Sequence, residues 1–150
     1  MKRIKLLSLL IAVLVLLSSC GSNDENKVVD VIQNATVVSI NDVAQTTVEA
    51  SLGAFEGKQG DYIEFRFDEP QTFNTAFIVE KTATVRQFNI YAEINGKYNL
   101  VYTGKHIFQD NIVFEEVTAS AFKFEVVNTQ IGNDHFVIQS ISAYNINEGV

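Results

Sequence analysis

Between residues 61 and 67 the chain reads Asp61-Tyr62-Ile63-Glu64-Phe65-Arg66-Phe67, which puts Asp61, Ile63, Phe65 and Phe67 on one side and Tyr62, Glu64 and Arg66 on the other. Successive side chains of an extended strand point to opposite faces, so a period of two predicts a strand buried on one face. The alternation recurs. Arg86 to Ile94 turns Phe88, Ile90, Ala92 and Ile94 inward, and Ala121 to Val127 turns Phe122, Phe124 and Val126 inward. Phe73 to Glu80 is apolar through Ala76-Phe77-Ile78-Val79, as a strand covered on both faces would be. Asn111 to Glu115 and His135 to Tyr144 read as further strands; the last pairs Phe136, Ile138, Ser140 and Ser142 on one face against Val137, Gln139, Ile141 and Ala143. Ala35 to Ile40 and Thr46 to Ser51 complete the set.

The breaks between strands carry turn chemistry. Asn95-Gly96 stands between two strand patterns, and both residues tolerate the positive φ of a type I′ hairpin turn. The only proline, Pro70, interrupts the pattern within Asp68-Glu69-Pro70-Gln71. Turns are expected at 68–72, 95–96 and 116–119. Seven or eight short strands without helical periodicity predict an all-β, antiparallel sandwich. The eleven phenylalanines, mostly at inward positions, are its expected core filler.

The first twenty residues differ in kind. Lys2, Arg3 and Lys5 precede an apolar run from Leu6 to Leu17 broken only by Ser8, then Ser18, Ser19 and Cys20. Such a run spans about 18 Å at 1.5 Å per residue, short of the roughly 30 Å of a bilayer core. A cleaved export signal is the expected reading. Leu17-Ser18-Ser19-Cys20 resembles a bacterial lipobox, which implies that Cys20 becomes an acylated first residue. Cys20 is the only cysteine, so it has no intramolecular disulfide partner. Acyl chains contribute about 0.8 kcal/mol per buried methylene, and two or more hold stably. The expected location is the cell envelope, lipid-anchored to the outer membrane or the cell surface.

Without residues 1–19, the eleven basic residues fall to eight against eighteen acidic ones, a net charge of −10. A surface that acidic repels phosphate backbones, so nucleic acid is not an expected partner. Membrane contact should come from lipid on Cys20.

The stretch from Gly60 to Tyr144 resembles the galactose-binding-like jelly roll of coagulation-factor type C (discoidin) domains and related carbohydrate-binding modules. The resemblance lies in an ordered series: Tyr62 to Phe67, Thr72 to Glu80, Val85 to Tyr91, a hairpin before Tyr98 to Gly104, Val117 to Val126, and Ile138 to Tyr144. It looks closest to small domains appended to bacterial α-L-fucosidases. The organisation it implies is a lipoprotein signal peptide over 1–19, a lipidated tether over 20–27 and a galactose-binding-like β-sandwich of about eight strands over 28–150. Where relatives carry an Asp-rich, Trp-containing segment, this chain has Ser51 to Gly60 with neither residue, and no metal is expected.

No catalytic constellation stands out. There is no G-x-S-x-G elbow, no phosphate-cradling glycine loop and no zinc-ligand spacing, and His106 and His135 are the only histidines. Neither an enzyme nor a cofactor is expected. Counting strand reversals places residues 53–60, 80–86, 104–110 and 129–134 at one end of the sandwich. The resemblance implies that ligands sit among those loops, with an arginine from the segment matching 80–86 and a histidine nearby. Arg86 and His106 are therefore the expected hydrogen-bond donors, Phe55 the apolar face, and Asn133 and Asp134 further contacts. Alternatively, Arg86 pairs with Glu80 across its loop and His106 caps a turn. Two functions are carried forward: a non-catalytic module recognising carbohydrate at the cell envelope, and a structural adaptor contacting an envelope protein.

Overall fold

A computed structural model describes residues 28–146; the leader, Cys20, the tether and residues 147–150 lie outside the described residues. After a 3-10 turn at Val31–Asn34 come β1 (Ala35–Ile40), β2 (Val43–Ala44), a single helical turn α1 (Val48–Ser51) and β3 (Phe55–Lys58). Then follow β4 (Tyr62–Glu80), β5 (Val85–Ile94), β6 (Lys97–Gly104), β7 (Ile112–Thr129) and β8 (His135–Tyr144). All pairings are antiparallel.

Two strands belong to both layers of the sandwich. The first half of β4 and the second half of β7 sit centrally in the order β2-β1-β4-β7-β5-β6. The second half of β4 pairs with β8, which pairs in turn with β3. The strands change layer at a wide bulge: Arg66 is opposite Ala121 and Gln71 opposite Ala119, leaving four residues of β4 against Ser120 alone. Pro70, which has no N–H to donate, falls inside that bulge. The breaks expected at 68–72 and 116–119 are thus bulged corners inside two long strands rather than separate loops, and the chain still turns back there: Lys58 before β4 pairs with His135, and Thr84 after β4 bonds the carbonyl of the same residue.

Phenylalanine fills the space between the layers. Phe65, Phe73, Phe88, Phe122, Phe124 and Phe136 are fully buried. Phe124, in the six-stranded layer, meets Phe55 of the opposite layer edge-on at 6.3 Å between ring centroids, and Phe88 of its own layer at 5.5 Å. Gly104 is buried where β6 passes Phe88; a Cβ there would lie 2.2 Å from the ring, so no side chain fits.

The Asn95-Gly96 hairpin forms as expected, with φ of 53° and 73° at its two central residues. Two expectations are corrected. Thr46 to Ser51 is not a strand: the Thr47 hydroxyl accepts a hydrogen bond from Ala50 N at 3.2 Å, capping α1, and Ala50 is buried. In β8 the inward phase switches, because Val79 pairs with Ser140 but Glu80 with Ile138. Gln139 is the extra residue, so Ile141 and Ala143 are buried in place of Ser140 and Ser142.

The outer face of the larger layer carries a polar network. Arg66 donates to Glu64 at 2.9 Å and to Glu93 at 2.7 Å, and the Tyr98 hydroxyl donates to the second oxygen of Glu64. The Lys123 ammonium lies 4.2, 4.8 and 5.0 Å from the ring centroids of Tyr98, Tyr91 and Tyr62. Burial, and then a hydrogen bond to Asp42, push the Tyr62 phenol up from 10.0 to about 12. Burial, followed by hydrogen bonds to Glu64 and Glu125 respectively, also raises Tyr98 and Tyr91. A phenol raised in the fold contributes stability that is whole below its unfolded pKa and is lost as pH climbs through the folded value. The urea midpoint should thus hold from neutrality to about pH 10 and fall above it, less steeply in Tyr62→Phe. A midpoint unchanged at about pH 11.5 would show that these phenols titrate alike in both states.

Candidate functional site

Four segments meet at one end of the sandwich. The loop between β4 and β5 folds around Glu80, whose Oε1 accepts from Thr84 N at 2.6 Å, Val85 N at 3.0 Å and Thr82 Oγ1 at 2.9 Å. One carboxylate oxygen thereby replaces the partners that the chain lacks as it leaves the sheet. The same loop is tied to β8: Thr84 Oγ1 donates to His135 O at 3.0 Å, and Val137 N donates to Thr82 Oγ1 at 3.2 Å. Gln130 N donates to Thr84 O at 2.8 Å, bringing in the β7–β8 connection, and Gln59 N donates to Asp134 O at 3.3 Å, bringing in the segment after β3.

Arg86 lies across this assembly. Its Nη1 donates to Ala83 O and Val85 O at 3.0 and 3.1 Å, and its Nη2 donates to Gln130 Oε1 at 3.0 Å. A guanidinium has five N–H donors, so two remain after these bonds. Glu80 is engaged by its own loop, and the salt bridges among the described residues do not include an Arg86–Glu80 pair. The alternative reading of Arg86 is corrected accordingly.

His106 and Phe108 come from the segment after β6. The period-two pattern continues there without a strand: Ile107 packs against the core while His106 and Phe108 turn outward, their ring centroids 5.7 Å apart. Phe108 is 64% exposed, alone among the phenylalanines in being so open. Arg86, His106, Ile107 and Phe108 line an open hollow of about 240 Å³ together with Glu80, Ala83 and Val85. The structure thus brings Arg86 and His106 together, as expected from the sequence.

The other expected contacts fall elsewhere. Phe55 is corrected: it is 4% exposed, with its ring edge-on to Phe136 at 5.2 Å, and is part of the core with no face to offer. The pairing of Gly57 with Phe136 on β8 draws β3 into the sheet and turns Phe55 inward. Asn133 and Asp134 line a second hollow of about 410 Å³ with Gln59, Asn128, Thr129 and Gln130. Phe108 and Gln130 were not singled out from the sequence. A signal for Phe108 did exist: it is a lone aromatic between His106 and Gln109-Asp110-Asn111, outside every strand pattern.

No group of three or more histidine, cysteine or acidic side chains is placed to hold a metal ion among the described residues. Nor is any helix there long and apolar enough to cross a membrane.

No protein-family model matches this sequence, and comparison with curated proteins returns no match. Solved structures are similar. The chitosan-binding module 1 of a chitosanase/glucanase from Paenibacillus sp. IK-5 superposes with a TM-score of 0.59 at 17% identity, over 78% of this chain and 99% of that one. The structure of ZmpB from Clostridium perfringens, holding two CBM32 domains and an M60 catalytic domain, matches with a TM-score of 0.61 at 18% identity. It is covered over only 14% of its length, against 77% of this chain. A protein described as an α-L-fucosidase from Bacteroides thetaiotaomicron matches with a TM-score of 0.53 at 24% identity, over 63% of this chain and 22% of that one. The chain therefore spans about a fifth of that fucosidase but nearly all of the free-standing module. The fold is the galactose-binding-like jelly roll seen in carbohydrate-binding modules.

Proposed function

We propose that this chain is a non-catalytic carbohydrate-binding module, held at the cell envelope by lipid on Cys20, which recognises glycan through the hollow of Arg86, His106 and Phe108. The observation that carries the proposal is the open ring of Phe108 beside two hydrogen-bond donors. A sugar ring has an apolar C–H face and a rim of hydroxyls. An exposed aromatic takes the face, and the free N–H groups of Arg86 and the imidazole of His106 take the rim. Core packing does not account for Phe108, because the core holds Ile107 instead.

Calorimetry and a glycan array on the full chain test this reading. Phe108→Ala should weaken sugar binding by roughly tenfold, about 1.4 kcal/mol, at unchanged melting temperature, because the ring supports nothing beneath it. Arg86→Ala should weaken it further and also loosen the loop that Arg86 bridges. Should no glycan bind, and a stoichiometric envelope protein be recovered instead whose association Phe108→Ala abolishes, the adaptor reading replaces this one.

A further inference from the structure

We infer that the two hollows form one extended cleft that takes an oligosaccharide of at least two residues, with a neutral sugar over the second hollow; this rests on the carbohydrate reading of the first hollow. Arg86 lines the first hollow and Gln130 the second, and the hydrogen bond between them at 3.0 Å makes their shared wall.

The chemistry of the second hollow is set by which amide atoms are already engaged. Asn128 Oδ1 accepts from Thr129 N at 2.9 Å, Asn133 Oδ1 accepts from His135 N at 3.3 Å, and Gln130 Oε1 accepts from Arg86. Each partner can only donate, so the orientation of each amide follows from the bond. All three NH2 groups are left without a protein partner among the described residues. The hollow therefore offers donors to oxygen-rich groups such as hydroxyls and N-acetyl carbonyls. Asp134 is the one charged group lining it, which accepts from hydroxyls and disfavours an anionic sugar at that position.

Ile131 adds an apolar surface. Asn133 N donates to Gln130 O at 2.9 Å, closing a turn in which Gly132 has a φ of 83°. Ile131 occupies the preceding turn position, where polar residues and proline prevail, and is fully exposed at 101%. It supports no packing. An apolar side chain at the edge of a donor-lined hollow is suited to the C–H face of a second ring.

The test is calorimetry on the full chain with galactose, N-acetylglucosamine, glucosamine and galacturonic acid, each as monomer and as linked di-, tri- and tetramers. Galacturonic acid should gain less than about twofold with length, because its second ring brings a carboxylate to Asp134. If the galactose or N-acetylglucosamine series binds, its affinity should rise about tenfold from monomer to dimer or trimer and then level off. Ile131→Ser should cut that ratio to under about twofold while the melting temperature stays unchanged. Asn133→Asp, which replaces a free donor with an acceptor, should cut it as well. Monomers binding as tightly as oligomers in the galactose or N-acetylglucosamine series, or a length dependence that survives both substitutions, overturns the extended cleft and leaves the first hollow standing. Absence of binding at every length overturns both.

Discussion

Phe124→Ala should lower the free energy of unfolding by about 3–5 kcal/mol, the range for deleting a buried aromatic that leaves a cavity. Phe124 is fully buried on a central strand, where it pairs with Ile63 on one side and Ile90 on the other. Its ring also bridges the layers through Phe55 and touches Phe88. Neighbours held on three sides by paired strands cannot collapse into the void, which places the cost toward the upper end. Domains of this size have only about 5–15 kcal/mol to lose. Urea denaturation followed by tyrosine fluorescence would measure the change. A loss below about 1.5 kcal/mol would mean that the two layers are not joined through this ring.

Glu80→Ala should cost about 2–3 kcal/mol and abolish ligand binding together, because the same carboxylate oxygen organises the loop that carries Ala83 and Arg86. Two backbone N–H groups and the Thr82 hydroxyl converge on Glu80 Oε1. Removing the acceptor leaves the Thr84 and Val85 N–H groups buried without a partner, a larger penalty than losing a solvated contact. Both residues are buried, so water cannot readily take the place of the oxygen. Glu80→Gln keeps an acceptor at that position and should lose only about 1 kcal/mol while retaining binding. The two variants separate loop architecture from charge. Equal loss in both would point to the charge itself, and stable, ligand-competent Glu80→Ala protein would show that the loop holds through its ties to β8 alone.

The jelly roll was legible in the sequence because its strands are written in a local code. Tyr62 to Phe67, Arg86 to Ile94 and Ala121 to Val127 each display a period of two that no other backbone shape satisfies, and Asn95-Gly96 supplies the positive φ values its turn requires. The failures occur where a partner distant in sequence decides. Asp68 to Gln71 looks like a loop between two strands, and the chain does turn back there, yet pairing with β7 on both sides makes the break a bulge within β4. Thr46 to Ser51 is β-branched enough to pass for a strand, but burial of Ala50 against the fold favours one capped helical turn. In β8 a single extra residue at Gln139 inverts the inward set, and that follows from register with β4.

The candidate site divides in the same way. Strand counting placed the right loops at one end, and Arg86 and His106 do share a hollow. It could not tell Phe55 from Phe108. Both are phenylalanines near loops, and the difference lies in which one has a strand facing it.

What the amino-acid order alone determined is the strand character of the chain from Tyr62 onward, its one tight hairpin, the acidic surface and the end of the molecule where loops gather. These depend on φ preferences and side-chain alternation within a few residues. Only the tertiary structure decided that Phe55 is core, that Phe108 and Ile131 stand open, and that Arg86 reaches Gln130, forty-four residues away. Contacts of that span arise from the register of whole strands against one another, and register is a property of the assembled sheet.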